Sequence, residues 1–188
     1  GGGGGLSTPI RLPISSYIRY ELASEQAEVE AQHSFEIRLL QPLQAKLRQA
    51  TEKLCPANVE ILVHVVALGV AHMLESGVVQ KQFNELGAML LCEHVRLLMD
   101  ALGEFVMTSV RNEFSRLSQM AFLLNAGSVH ETAALLISSS CGGVARSGGV
   151  AGSGTHLSRV EAARVLSLRS EFTQAQVREI LPELHDSR

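Results

Sequence analysis

The sequence predicts an all-α fold, a largely antiparallel helical bundle, and three observations favour it. Hydrophobic residues make up 46% of the 188 residues, aromatic residues only 4%, and tryptophan is absent. A core of Leu, Val, Ala and Met favours helices, because β-sheets depend on β-branched and aromatic side chains. Apolar residues recur at three- and four-residue spacing over most of the chain. Capping residues stand before several of these apolar runs.

The first elements follow a segment without periodicity. Residues 1–16 are punctuated by Gly, Pro and Ser and are predicted to be flexible. The chain opens on a run of glycines without an initiator Met, as expected of a piece of a longer protein. From about Ser24 the pattern is helical, and Pro42 is expected to end or kink this helix. Apolar positions resume at Leu43 and continue to Leu54, which predicts a second helix.

A third helix is predicted over about residues 57–75, with Pro56 in its first turn. Ser76 and Gly77 follow as its expected C-terminal cap. The most apolar run of the chain, residues 61–74, lies in this helix. Because a bilayer span needs about 20 residues, we expect a buried core helix here.

A long helix is predicted over about residues 78–110, because apolar side chains form one stripe along it. The stripe is wide enough to pack on two neighbours, and a core role is favoured over an interface for a partner helix. Periodicity leaves open whether the helix breaks near Gly103 or continues into residues 111–125. The stripe consists of Val79, Phe83, Leu86, Leu90, Leu97, Leu98, Leu102 and Phe105.

The main bundle is predicted to occupy residues 17–137. Its last element is a short helix that ends near Ile137. Ser128 and Glu131 have the spacing of a capping box, which marks the start of that helix.

The C-terminal part consists of a loop and a docked helical segment. Residues 138–157 are dominated by Gly and Ser and are predicted to be a flexible surface loop. Ser158 and Glu161 have capping-box spacing and open the C-terminal helices, residues 158–188, which Pro182 limits. We expect these helices to dock on the main bundle.

The sequence predicts no enzyme, no catalytic residue, no metal site and no cofactor site. The Gly-Ser-Gly sequence at residues 152–154 follows a low-complexity stretch and completes no phosphate-binding pattern. His64 and His72 lack the paired short spacings of a zinc site, so satisfied or exposed histidines are favoured. Cys141 lies in the predicted loop, a poor setting for a catalytic thiol.

The net charge and the cysteine pattern indicate which partners and which cellular compartment to expect. The formal charge of −3 gives no electrostatic reason to expect nucleic acid as a partner. Cys55, Cys92 and Cys141 are scattered and form no C-x-x-C pair. Such a set is typical of reduced thiols in a cytosolic protein.

Residues 111–125 read R-N-E-F-S-R-L-S-Q-M-A-F-L-L-N and place Phe114, Leu117, Met120 and Leu124 on one helical face. The segment resembles the last long helix of a known family, the fourth subunits of the conserved oligomeric Golgi complex, a vesicle tether. That helix reads approximately R-D-K-F-A-R-L-S-Q-M-A-T-I-L-N. The matching residues are Arg111, Phe114, Arg116, Leu117, Ser118, Gln119, Met120, Ala121, Leu124 and Asn125.

Two further blocks follow the order of the family. Residues 83–87 resemble its F-N-R-L-G, and residues 157–172 resemble its L-T-P-A-E-V-R-x-V-L-A-L-R-I-D-F. The resemblance covers about residues 17–181. The chain lacks the family's Tyr-Trp pair near residues 134–135 and its Trp-Arg at residues 155–156, which changes the expected local packing there. It also has Arg159 where the family has Pro.

The resemblance implies a non-enzymatic subunit of a Golgi vesicle-tethering complex that acts in retrograde intra-Golgi transport. This chain would be the C-terminal module of a rod-like subunit. The implied partners are the other subunits of the complex and, through the full-length protein, the SNARE machinery. The implied location is peripheral, on the cytosolic face of the Golgi membrane. The alternative is a generic helical adaptor or scaffold, for example of another tethering complex such as exocyst.

Five polar residues are candidates for a structural or interaction role. Arg116 lies within an apolar-periodic stretch, and we predict that it pairs with Glu161 on another element, because guanidinium and carboxylate groups bond well. The alternative makes Glu161 a helix cap and Arg116 a solvated charge. Arg111 and Gln119 also interrupt the apolar pattern, and Arg169 lies in the third block of the resemblance.

Overall fold

A computed structural model describes residues 20–128, 157–173 and 175–177. Helices account for nearly all of its regular structure, and the prediction of an all-α bundle is confirmed. The extended pairing within these ranges is an isolated bridge between Phe83 and Arg169. The elements are α1 (Glu25–Phe35), a π-helical turn (Glu36–Leu40), α2 (Gln41–Thr51), α3 (Pro56–Val78), α4 (Glu85–Gly103), a 3-10 turn (Val110–Asn112), α5 (Ser115–Leu124) and α6 (Arg159–Leu166).

The first helix changes type before Pro42 and does not stop there. Ser24 caps α1, because its hydroxyl accepts a hydrogen bond from the Ala27 N–H at 3.3 Å. A proline inside an α-helix lacks the N–H donor and crowds the carbonyl four residues earlier. The π-helical turn relieves this crowding, and Pro42 falls in the first turn of α2. The predicted irregularity at Pro42 is therefore present as a π-helical turn.

The start of α3 agrees with the prediction, but its end does not. The helix begins at Pro56 and runs to Val78, so Ser76 and Gly77 lie within it and do not cap it. The Ser76 hydroxyl donates to the His72 carbonyl at 2.9 Å and so bonds within the helix. Continuing the helix brings the Val78 side chain into the core, where it is buried. That burial outweighs the tendency of glycine to end a helix.

The length of α3 overturns the argument that its apolar run is too short for a bilayer. Among the described helices, this 23-residue helix is long and apolar enough to cross a membrane by length and composition. The core helix of a soluble protein passes the same test. One face of α3 is buried in the bundle, including Val63 and Ala67. The opposite face, with Ile61, Val65 and Leu68, is exposed, so the expected core helix is buried on one side only.

The predicted long helix over residues 78–110 is shorter than expected, and its predicted start is wrong. It is α4, Glu85–Gly103, and it starts where the Asn84 side chain accepts a hydrogen bond from the Gly87 N–H at 3.0 Å. The spacing of apolar residues does not reveal such a cap, because the cap depends on one polar side chain. Phe83 therefore lies before the helix, although it is fully buried. At the other end α4 breaks at Gly103, which settles the point that periodicity left open.

The segment with the clearest family pattern forms the 3-10 turn and α5. Its predicted apolar face, with Phe114, Leu117, Met120 and Leu124, is buried throughout. The helix packs against α3, α4 and α6, so α5 lies at the centre of the described bundle. The helix ends at Leu124.

The C-terminal helix begins as predicted. α6 starts with a capping box in which Ser158 and Glu161 bond to each other's backbone N–H groups. Its buried side chains, including Val165 and Leu166, join the same core cluster as α5. The predicted flexible segment (residues 1–16), the short helix ending at Ile137, most of the predicted loop and the limit at Pro182 lie outside the described residues.

One histidine lies in the core. His94 on α4 is fully buried, its ring stacks on Phe35 of α1 at 3.8 Å between centroids, and its Nδ1 lies 3.0 Å from the Tyr20 hydroxyl. Burial lowers the pKa of His94 to about 3. The side chain is therefore an uncharged core residue.

Candidate functional site

Arg116, in the first turn of α5, connects three helices. Its Nη2 donates to Glu161 Oε1 on α6 at 2.8 Å, and its Nε donates to Glu75 Oε2 on α3 at 3.4 Å. The predicted contact between Arg116 and Glu161 is therefore present. The exposed fractions of the side chains are 25% for Arg116, 15% for Glu75 and 45% for Glu161, so water screens the pair from one side.

Glu161 uses its two carboxylate oxygens for two purposes. Oε1 accepts from Arg116, whereas Oε2 accepts from the Ser158 N–H at 2.8 Å. The pairing and the capping readings of Glu161 are thus both correct. The hydrogen bond from Arg116, and then that from the Ser158 backbone, hold the pKa of Glu161 at about 2. The Glu161 carboxylate in turn raises the pKa of Arg116.

Gln119 lies one turn further along α5 and fixes the approach to α6. Its Oε1 accepts from the Leu157 N–H at 2.9 Å, and its Nε2 donates to the Ser115 hydroxyl at 3.4 Å. Leu157 immediately precedes the capping box of α6. Gln119 therefore binds the chain at the point where the C-terminal segment, residues 157–173, begins.

Arg169 binds the far end of α5. Its buried guanidinium donates from Nη1 to the Leu124 carbonyl, one of the last carbonyls of that helix. Those carbonyls lack partners within the helix and carry partial negative charge. The Arg169 Nε donates to Glu171 Oε2 at 2.7 Å, and the guanidinium lies 5.0 Å from the centre of the Phe172 ring.

The five candidates do not form one site. Arg116, Glu161, Gln119 and Arg169 all join the C-terminal segment to α5. Arg111 is different, because it is exposed on the 3-10 turn and its backbone N–H donates to the Ser109 hydroxyl at 3.3 Å. The structure gives its guanidinium no bond to another described residue.

Sequence reasoning missed two polar residues that join distant parts of the chain. Glu75 pairs with Arg116, which lies 41 residues later in the sequence. The sequence contains only one hint of this role, because Glu75 is a single acidic residue near the end of an apolar helix. Asn84 caps α4 and also bonds to the backbone of Leu22. Its signal was an N-capping residue type directly before the helical pattern.

The histidines on α3 behave as structural residues. His64 Nδ1 lies 2.8 Å from Glu113 Oε1, and its Nε2 lies 2.8 Å from the Thr108 hydroxyl. That hydroxyl also bonds to Glu60, so its proton is committed to a carboxylate. His72 is exposed, and the described residues contain no group of three potential metal ligands.

The cysteines form no disulfide within the described ranges. Cys55 and Cys92 are free and exposed, as expected of reduced thiols. Although Cys92 is exposed as a whole, its thiol is partly desolvated, which raises the pKa of Cys92. Cys141 lies outside the described residues.

The contacts of Arg116, Glu161, Gln119 and Arg169 position helices by ion pairs and hydrogen bonds.

Comparison with known proteins identifies the family of this chain. A family model, "Conserved oligomeric Golgi complex subunit 4, C-terminal", matches residues 10–163. The chain is similar to conserved oligomeric Golgi complex subunit 4 of Drosophila melanogaster, with 34% identity over 107 residues, which are 57% of this chain and 14% of the fly protein. The Arabidopsis thaliana subunit 4 is 30% identical over 115 residues, which are 61% of this chain and 16% of that protein.

The matched stretches are thus a small part of these relatives' length, whereas the family match covers most of this chain. The match includes Arg116, Gln119 and Glu161 and ends before the last residues of the third block. This chain therefore belongs to the conserved oligomeric Golgi complex subunit 4 family and corresponds to its C-terminal region.

Proposed function

We propose that this chain is the C-terminal module of a subunit of a Golgi vesicle-tethering complex and acts through protein contacts, without catalysing a reaction. Family membership supports the complex. The observation that carries the module's own role is the Arg116 contact with Glu75 and Glu161, which fixes the C-terminal helix on the bundle. An ion pair with two carboxylates of different helices specifies how those helices dock more than it adds net stability.

The proposed process is retrograde vesicle transport within the Golgi, and through it the organisation of the Golgi. The proposed partners are the other subunits of the complex and, through the full-length protein, the SNARE machinery. The proposed location is the cytosolic face of the Golgi membrane, with peripheral association. The core face of α3 supports peripheral association, because Val63 and Ala67 are buried against the rest of the bundle.

The experiment uses the full-length subunit in cells that lack the endogenous one. Deletion of the module is expected to impair retrograde transport of Golgi enzymes and to reduce co-purification of the other subunits. Arg116→Ala is expected to impair transport in the same direction, whereas Arg111→Ala, a matched change at an exposed arginine outside these contacts, is expected to restore normal transport. Normal transport and normal subunit recovery after deletion would overturn the proposal.

The same cells distinguish the alternatives. A generic adaptor would co-purify without the other subunits of this complex, so their absence from the purified wild-type protein would favour that class. Peripheral association predicts release from Golgi membranes by salt or alkaline wash. Retention after an alkaline wash would indicate that α3 inserts into the bilayer.

A further inference from the structure

The chain enters the described bundle through a short non-helical stretch, residues 20–22, called the strap here. Tyr20 and Leu22 are buried in the core. The Tyr20 ring stacks on Phe83 at 4.7 Å between centroids, and its hydroxyl bonds to His94. The Tyr20 carbonyl accepts from the Asn84 N–H at 3.4 Å. The strap is thus held by its side chains and by its backbone.

One side chain binds the strap and starts a helix. Asn84 Nδ2 donates to the Leu22 carbonyl at 2.6 Å, and Asn84 Oδ1 accepts from the Leu22 N–H at 3.3 Å. The same oxygen accepts from the Gly87 N–H and so caps α4. Attachment of the strap and the start of α4 therefore depend on one amide group.

The C-terminal segment bonds to Phe83 and Glu85, the two neighbours of Asn84. The Phe83 N–H donates to the Leu168 carbonyl, and the Phe83 carbonyl accepts from the Ser170 N–H, both at 2.9 Å. The Glu85 N–H donates to Glu171 Oε1 at 3.2 Å. Residues 83–85 are thereby bonded to two segments that are far apart in the sequence.

We propose that residues 83–85 couple the strap to the C-terminal segment, so that release of the strap loosens the bonds of Phe83 with residues 168–170. The physical reason is that residues 83–85 bond to both segments, so each segment fixes the position that the other requires. Residues 83–85 can then be in a docked or an open position, and both the strap and the C-terminal segment favour the docked one. Two sites are energetically coupled when both shift the same local equilibrium in this way. Movement of the chain before the strap would reach the segment that carries Glu161 and Arg169.

Gly87 offers a selective way to displace the strap. A Cβ atom at this position would lie 1.6 Å from the Tyr20 carbonyl oxygen and 2.4 Å from its carbonyl carbon. Both are backbone atoms, so Gly87→Ala fits only if the strap moves away. Gly69→Ala is the matched control, since that glycine lies within α3 and nothing lies within 4 Å of its added Cβ.

The test measures hydrogen exchange of single amides in the full 188-residue chain. The Leu22 and Asn84 amides report on the strap, and the Phe83 and Ser170 amides report on the C-terminal segment. Gly87→Ala and Tyr20→Ala are expected to speed exchange at all four amides, by about fivefold or more at Ser170, the lower end of typical coupling between sites. Gly69→Ala is expected to leave all four unchanged.

Coupling is reciprocal, so the reverse change is a second arm of the test. Glu171→Ala removes the acceptor of the Glu85 N–H at the surface and is expected to speed exchange at the Leu22 amide. Faster exchange at Leu22 and Asn84 in Gly87→Ala, with unchanged exchange at Phe83 and Ser170, would overturn the proposal. If circular dichroism shows that Tyr20→Ala no longer folds, Tyr20→Phe takes its place. Tyr20→Phe removes only the bond to His94 and is judged by exchange at the same four amides.

Discussion

Arg116 and Glu161 lie 45 residues apart in the sequence, and Arg116 Nη2 lies 2.8 Å from Glu161 Oε1. The contact closes the C-terminal segment onto α5, while Glu75 approaches the same guanidinium from α3. The guanidinium thus separates two carboxylates that belong to different helices. This relationship yields the first two predictions.

Arg116→Ala and Glu161→Ala are expected to be non-additive in the free energy of unfolding. Removing one partner leaves the other without its bond, so the double variant should lose less than the sum, with a coupling of about 0.5–2 kcal/mol. The upper range for a fully buried pair does not apply, because Glu161 is half-exposed. Urea unfolding of the four proteins measures the coupling. A value within about 0.5 kcal/mol of zero would contradict the prediction.

The stabilisation due to Glu161 is expected to depend on pH. Its folded-state pKa is held at about 2, below the value of about 4.3 for an unpaired glutamate. The folded protein therefore binds this proton less readily than the unfolded chain, so the stabilisation is present above pH about 4.3 and is lost as the pH falls toward 2. The stability difference between wild type and Glu161→Gln should shrink over that range. A constant difference would refute this account.

Gln119→Ala is expected to loosen the start of the C-terminal segment. The change removes the acceptor of the Leu157 N–H and should cost about 1 kcal/mol in the free energy of unfolding. Exchange of the Leu157 amide should accelerate more than that of amides within α3. Gln119→Glu keeps an acceptor oxygen at the same place and is the control. Equal exchange at Leu157 in both variants would count against this role.

His64→Ala is expected to destabilise the protein, whereas His72→Ala is not. His64 bonds to Glu113 and Thr108, and the second carboxylate oxygen of Glu113 is buried without a hydrogen-bond partner among the described residues. Losing both bonds should cost about 1–3 kcal/mol. His72 is exposed on the same helix, so its change should stay within about 0.5 kcal/mol. Thermal unfolding of the two variants gives the comparison.

Local chemistry made part of the fold predictable. The capping box at Ser158 and the proline start of α3 are contained in a few neighbouring residues, and both are present. Helix ends set by distant contacts were not predictable in the same way. α3 continues past Gly77 because Val78 is buried by other elements, which the residues around Gly77 do not reveal.

The contacts of the candidate site divide in the same manner. The Arg116 contact with Glu161 was predictable in part, because a charge within an apolar pattern needs a partner and a carboxylate bonds well to a guanidinium. Glu75 was not predicted, since nothing near it in sequence indicates Arg116. The strap at Tyr20 was also missed, because a single glycine in a helical pattern, such as Gly87, is tolerated and does not by itself indicate a neighbouring backbone.

The buried His94 is also a built-in spectroscopic probe. With a pKa of about 3, its ring stays uncharged over the pH range in which exposed histidines gain a proton. Its ring signals in NMR spectra of histidine-labelled protein should therefore stay fixed between pH 5 and 8. If the His94 signals instead shift with pH in this range, the ring gains a proton, and water must have entered the core between Tyr20 and Phe35. Such a label would follow the opening of this core inside an assembled complex, where whole-protein unfolding cannot be measured.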